Sequence, residues 1–195
     1  MNFMEILPED MVNAPGIHTA IWVSGCPHHC PGCFNQEAWS YTAGKDFNYE
    51  QFNYLMDCIG APICNGLTIL GGEPFAPNNI PELKHIIETC RKMYPEKEIW
   101  IYTGYTIQEL YTRDDSKTNF CLKNIDVLVD GRFVEKLKAE LQYRGSSNQR
   151  VIDVKKTLAT HEYDTVIWYE GVSDKPASYS GGPFSKLMRK IRGGK

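Results

Sequence analysis

The sequence has no long uncharged apolar run and no basic segment at its start. No stretch approaches the roughly 20 apolar residues of a membrane-spanning helix, and the first residues lack the pattern of a secretory signal peptide. Neither sign of charge is in large excess, since the chain has 21 Lys and Arg and 24 Asp and Glu. Nucleic-acid binding requires a basic surface. We therefore expect a cytoplasmic protein with neither a membrane nor a nucleic acid as partner.

A second set of paired cysteines is missing as well. The chain has 195 residues and seven cysteines, and its length predicts one domain with a substantial core. Four cysteines are scattered and form no C-x2-C pair: Cys58, Cys64, Cys90 and Cys121. An odd number of cysteines without an export signal argues against a disulfide framework.

The other three cysteines form one compact motif. Cys26, Cys30 and Cys33 stand at C-x3-C-x2-C spacing, directly after an apolar run at residues 19–23 that predicts a buried strand. Prolines and glycines between and beside the cysteines predict a tight loop. We expect the three thiolates to converge on one point. Soft sulfur ligands select zinc, copper(I) or iron–sulfur clusters.

The number of cysteines narrows the choice of metal centre. A structural zinc site takes four protein ligands, and an electron-transfer cubane takes four cysteines. Three thiolates would leave one iron of a [4Fe-4S] cluster without a protein ligand, and an open position is typical of a catalytic metal. A zinc site remains an alternative, with His28 or His29 as the fourth ligand.

Strand and helix patterns alternate after the motif. Strands are predicted at residues 67–70, 98–105 and 125–131, and helices at 48–59, 80–94 and 133–142. This alternation is typical of α/β proteins with a parallel sheet. A closed barrel needs about 250 residues. We therefore predict a partial, open parallel β/α barrel with the cysteine loop after its first strand.

The second predicted strand ends in Gly71, Gly72 and Glu73. Glycines at a strand end let the backbone approach a ligand closely. In a parallel sheet this turn and the cysteine loop would open at the same, C-terminal edge. We read Asp130, at the end of a later strand, as a structural or positioning residue.

The two ends of the chain carry weaker signals. Residues 1–17 end in a turn signal at Asn13-Ala14-Pro15-Gly16, and the short stretch at residues 10–13 before it is predicted to be an entry loop to the first strand. Residues 1–153 are predicted to form the main domain and 154–195 an extension. In the extension we expect an edge strand at 164–169, a linker at 173–183 and a short basic helix at 184–192.

The cysteine motif resembles that of the radical S-adenosylmethionine (SAM) superfamily. With Phe34 and Asn35 after it, the motif more narrowly resembles the activating enzymes of anaerobic (class III) ribonucleoside-triphosphate reductase. Three later segments resemble the same branch in order: W-I-Y-T-G-Y at 100–105, D-G-R-F at 130–133 and R-G-S-S-N-Q-R at 144–150. The resemblance covers residues 1 to about 153.

This resemblance implies a site and a partner. Cys26, Cys30 and Cys33 would hold a [4Fe-4S] cluster whose fourth iron chelates SAM. Gly71, Gly72 and Glu73 would anchor the methionine end, and the cofactor would also contact Cys33, with the backbone at Gly32 and Phe34 beside the adenine.

In the family, reductive cleavage of SAM gives a 5′-deoxyadenosyl radical, which generates a glycyl radical on the reductase. The resemblance also implies a flavodoxin-type electron donor. Two alternatives stay open: a small radical SAM enzyme of the 7-carboxy-7-deazaguanine synthase type, and a non-catalytic iron–sulfur or zinc module.

Overall fold

One seven-stranded sheet forms the centre of the protein. A computed structural model describes residues 1–162 and 164–173. The strands in chain order are β1 (Asn2–Asp10), β2 (His18–Val23), β3 (Lys45–Asp46), β4 (Gly66–Gly71), β5 (Glu98–Tyr102), β6 (Val127–Asp130), β7 (Lys138–Leu141), β8 (Arg144–Ser146) and β9 (Arg150–Asp153). The order across the sheet is β3-β1-β2-β4-β5-β6-β9, and β7 and β8 form a separate hairpin.

The middle of the sheet is parallel, as the sequence predicts. Strands β2, β4, β5 and β6 run in one direction, while β1 lies antiparallel to β2 and β9 antiparallel to β6. The α/β class is thus confirmed, in a mixed sheet. The prediction that the cysteine loop follows the first strand is wrong, because β1 (Asn2–Asp10), which the sequence did not predict, precedes β2.

The helices pack on this sheet through their apolar faces. Among the described residues they are α1 (Tyr49–Gly60), α2 (Ile80–Met93), α3 (Ile107–Thr112), α4 (Ser116–Lys123) and α5 (Val154–Ala159). The Asn48 side chain accepts a hydrogen bond from the Gln51 amide and caps α1. Thr106 and Glu109 form a reciprocal capping box at the start of α3.

The predicted helix at 133–142 is wrong. The chain instead makes one 3-10 turn, Glu135–Leu137, and then enters the hairpin of β7 and β8. The two-residue connection, Gln142 and Tyr143, turns the chain with Tyr143 at a φ of 59°. This hairpin stands beside the C-terminal ends of the parallel strands and forms part of the site described below.

Residues after 153 continue to pack on the sheet. Trp168 makes a single β-bridge to Ile152, so the predicted edge strand at 164–169 is reduced to one pairing. Val172 is buried, and the Tyr169 ring lies 5.0 Å from that of Trp100. The boundary at residue 153 stays a prediction. The predicted basic helix lies outside the described residues, as does the predicted linker beyond Ser173.

No helix of the described chain has both the length and the apolar character to cross a membrane.

Candidate functional site

A cavity of about 520 Å³ opens at the C-terminal edge of the parallel strands. Seven of the eight predicted site residues line it: Cys26, Cys30, Cys33, Phe34, Gly71, Gly72 and Glu73. Because β2 and β4 run parallel with Val23 opposite Gly71, the cysteine loop and the glycine turn meet at one edge. The predicted convergence of these two loops is confirmed.

Gly32 is the predicted site residue that is absent from the cavity wall. It lies against the Glu135 side chain, whose Cδ is 2.7 Å from where a Cβ would stand. Phe34 does line the cavity, with 79% of its surface exposed. The phenyl ring therefore stands at the mouth.

The three thiols are partly buried and belong to one loop. Burial raises the pKa of the Cys26 thiol to about 11, and burial also raises the pKa of Cys30. A bound metal would displace these protons, because only thiolates ligate. Within the described residues, no three His, Cys, Asp or Glu side chains are placed to hold a single metal ion.

The expectation that the three thiolates converge on one metal centre stays a prediction, although the three cysteines do line one cavity. A [4Fe-4S] cluster requires a different arrangement of ligands from a single metal ion, because each thiolate would bind a different iron. The donor set of three soft sulfur atoms on one loop fits such a group.

Backbone hydrogen bonds fix the cysteine loop against the glycine turn. The Glu73 amide donates to the Gly25 carbonyl at 2.8 Å, and the Gly72 amide donates to the Val23 carbonyl at 2.7 Å. A Cβ on Gly72 would lie 2.7 Å from the Gly25 carbonyl oxygen, so this close approach requires glycine. Asn79 donates to the Ser24 carbonyl at 2.8 Å. The two loops are thus held together by the protein itself.

The Glu73 carboxylate is fully buried and fully engaged. Its Oε1 accepts from the Phe75 amide at 2.9 Å and from Thr103 Oγ1 at 2.8 Å. Its Oε2 accepts from the Gly104 amide at 2.7 Å and lies 2.8 Å from His28 Nε2. A carboxylate has about four acceptor sites, so all of them are used within the protein. Glu73 joins the ends of β4 and β5 to the cysteine loop.

His28 is held by that carboxylate and by the next strand end. Its ring lies 4.3 Å from the Tyr105 ring and packs against Gly104, where a Cβ would come within 2.3 Å of the imidazole. With Nε2 bonded to Glu73, His28 fills a gap between two loops. From the sequence, His28 was interpreted only as a possible zinc ligand, so its contact with Glu73 was not predicted.

The hairpin and the segment before β9 form the opposite wall. Gln149 Oε1 accepts from the Gly145 amide at 2.9 Å, and its Nε2 donates to the Gly131 carbonyl at 2.9 Å. Arg150 forms a buried ion pair with Asp130. Asp130 also accepts from the Ile107 amide at 2.8 Å. The polar segment 144–150 thus fastens this wall to β6, and Asp130 has the structural role expected of it.

Comparison with known proteins gives consistent matches. A profile of the family described as 4Fe-4S single cluster domain matches residues 12–152. The anaerobic ribonucleoside-triphosphate reductase-activating protein of Vibrio cholerae is 40% identical over 152 residues, which is 76% of this chain and 96% of that protein. Proteins of the same name in Escherichia coli and phage T4 are 36% and 34% identical, over 97% and 93% of their lengths and 77% of this chain.

Proposed function

Because the chain belongs to the family of anaerobic ribonucleoside-triphosphate reductase-activating proteins and contains the 4Fe-4S single cluster domain, we propose that it is a radical SAM activase of an anaerobic ribonucleoside-triphosphate reductase. In this proposal the central sheet is the open β/α barrel of the superfamily. The activase would be an oxidoreductase that generates a glycyl radical on its partner.

One observation carries the proposal. Cys26, Cys30 and Cys33 line the same cavity as the Gly71–Gly72 turn, and no fourth cysteine of the described chain lines it. Such a wall supports a cluster with one iron left for a cofactor. A structural zinc site would require a fourth ligand, and His28 already bonds to Glu73.

When bound, the cluster would supply one electron to the SAM sulfonium, and cleavage of the C5′–S bond would give methionine and a 5′-deoxyadenosyl radical. That radical would take a hydrogen atom from a glycine of the partner. The chain's own residues supply position and exclusion of water. We place the methionine end against the backbone of Gly71 and Gly72. Glu73 holds that turn in place, and Phe34 borders the adenine end.

The cavity mouth must admit a segment of the partner. Phe34 and Val12 both line the cavity and are largely exposed, so the mouth is open and apolar on these sides. An electron donor of the flavodoxin type would re-reduce the cluster after each turnover. Neither the hydrogen-atom transfer nor the re-reduction of the cluster needs an acid or a base from this chain.

The proposal is tested by anaerobic reconstitution with iron and sulfide. The dithionite-reduced protein is expected to give a cubane EPR signal that changes when SAM is added, with release of 5′-deoxyadenosine. Cys30→Ser should lose the cluster and keep the fold. Cys58→Ser, at the end of α1 and outside the cavity, is the matched control and should keep both.

A cluster that ignores SAM would contradict the radical mechanism. A protein that binds only zinc would contradict the cluster itself. The partner is tested separately, by the EPR doublet of a glycyl radical on the purified reductase.

A further inference from the structure

Asn35 is a buried polar residue in the wall of the cavity. It stands two residues after Cys33, lines the cavity and is 9% exposed. Asn35 occupies the N-cap position of the short 3-10 helix Gln36–Ala38, where an asparagine side chain ordinarily accepts a backbone hydrogen bond. Here the side chain makes no such bond. Capping is therefore not its role.

The amide nitrogen of this side chain is a buried donor without an acceptor. Asn35 Nδ2 is inaccessible and has no hydrogen-bond partner among the described residues. A few other buried polar atoms of the described chain also lack a hydrogen-bond partner, but none of them belongs to a residue that lines the cavity. An unsatisfied buried donor is unfavourable, and a bound acceptor would remove that cost.

The backbone of the same residue indicates which acceptor this is. The Asn35 amide N–H already donates to Cys33 Sγ, at 3.4 Å. The side-chain donor and the backbone donor thus belong to one residue beside one cluster ligand. A cluster bound to Cys33 would bring anionic sulfur atoms, which accept hydrogen bonds, next to this residue.

We propose that Asn35 is a positioning residue that donates its side-chain N–H to a sulfur atom of the cluster, and thereby raises the reduction potential of the cluster. Hydrogen bonds to sulfur stabilise the reduced, more negative state. The inference rests on the proposed cluster site, but it does not depend on SAM or on the reductase.

The test is an EPR-monitored redox titration of the SAM-free, reconstituted protein. Asn35→Ala removes the donor, and Asn35→Asp replaces the donor with oxygen at almost unchanged size. In Asn35→Ala we expect the equilibrium constant for one-electron reduction of the cluster to fall roughly tenfold, which is a shift of about 59 mV to lower potential. Asn35→Asp should show a larger shift. Asn124→Ala, which loses a bond to the Phe120 carbonyl on α4, is the matched control and should titrate like wild type.

Two results would overturn the assignment. Unchanged potentials with weaker SAM binding would show that the amide serves SAM, and unchanged values of both would show that it serves neither. A protein without a cubane would instead contradict the proposed function.

Should the variants lose iron, the wild-type protein still gives an answer. Pulsed EPR of the reduced protein with 15Nδ2-labelled asparagine should show coupling of the cluster spin to a side-chain nitrogen. Absence of that coupling would contradict the proposal.

Discussion

At the scale of single residues, Glu73 has two possible roles that differ in their consequences. The family resemblance assigns it to the methionine end of SAM. The structure gives both carboxylate oxygens to groups of the protein, namely His28, Phe75, Thr103 and Gly104. A residue bonded in this way contributes to the stability of the cofactor-free protein.

Glu73→Gln should therefore destabilise the fold. The new NH2 group must face two of the donors that the carboxylate accepted, and we expect a loss of about 3 kcal/mol in the free energy of unfolding. Urea unfolding of the metal-free, reduced protein measures this loss. Thr103→Val removes one donor to the same carboxylate and should cost about 1–2 kcal/mol. If Glu73→Gln were as stable as wild type but bound SAM poorly, the carboxylate would belong to the cofactor.

His18 gives the chain a pH-dependent stability far from the cavity. Burial lowers the pKa of His18 to about 4. Its Nδ1 lies 3.0 Å from Thr68 Oγ1, and its Nε2 has no hydrogen-bond partner within residues 1–162 and 164–173. The pKa of His18 in the folded protein is below its value in the unfolded chain, so the unfolded chain binds the proton first as the pH falls. The contribution of His18 to the free energy of unfolding is therefore fully present above about pH 6.5 and is lost as the pH falls toward 4. We expect a loss of about 2 kcal/mol between pH 7.5 and pH 5.

This pH effect is measured as a difference between two proteins. Urea unfolding at both pH values should show the loss in wild type and a smaller loss in His18→Gln, which cannot titrate. Equal losses in both proteins would assign the effect to other groups.

At the scale of elements, the sequence predicted the parallel strands and their helices but missed the hairpin of β7 and β8. Phe133, Leu137 and Leu141 recur every four residues, which matches a helical face. The turn at Gln142 and Tyr143 lacks the Asn or Gly that ordinarily marks a hairpin. The hairpin is held instead by bonds between residues distant in sequence, such as that from the Ser173 amide to the Gln142 side chain, and these leave no local signal.

Strand β1 was missed for a different reason. Pro8 within the segment argues against a strand, because proline cannot donate to a neighbouring strand. In the structure β3 pairs only with Asn2 and Phe3, so the outer side of β1 around Pro8 needs no donor. An edge position that depends on the whole sheet thus permits a residue that the local pattern excludes.

The ion pair between β6 and β9 should be essential to this end of the sheet. Arg150 and Asp130 are both buried, and removal of one partner leaves an uncompensated charge. Arg150→Met is expected to lower the free energy of unfolding by about 3–5 kcal/mol. Urea unfolding measures the loss, and Glu88→Gln, which breaks the exposed pair with Lys84, should change it little. A small effect of Arg150→Met would mean that Asp130 is satisfied by its other contacts.

At the scale of the whole molecule, the site depends on four parallel strands that end at one edge. The sequence predicted this edge from the order of the motifs, since a parallel arrangement brings the ends of β2, β4, β5 and β6 together. It did not predict the depth of the cavity. That depth comes from the hairpin wall and from the contacts of Glu73, which join segments distant in sequence.

The open edge also determines where a protein partner must approach. If a glycine of the reductase reaches the cavity, the partner covers the mouth, where Met11 is 70% exposed beside the cavity-lining Val12. Met11→Asp places a charge on that surface outside the cavity wall. The yield of glycyl radical on the reductase should fall several-fold, while 5′-deoxyadenosine formation without the reductase stays at the wild-type rate.

The matched control for this variant lies at the other edge of the sheet. Ile63 is 56% exposed and precedes the start of β4, so Ile63→Asp adds the same charge away from the mouth. Ile63→Asp should leave the yield of glycyl radical unchanged. Equal losses in both variants would point to a general effect of charge or stability, and a full yield in Met11→Asp would place the partner elsewhere around the mouth. Only a loss confined to Met11→Asp agrees with a reductase that docks over the C-terminal edge of the sheet.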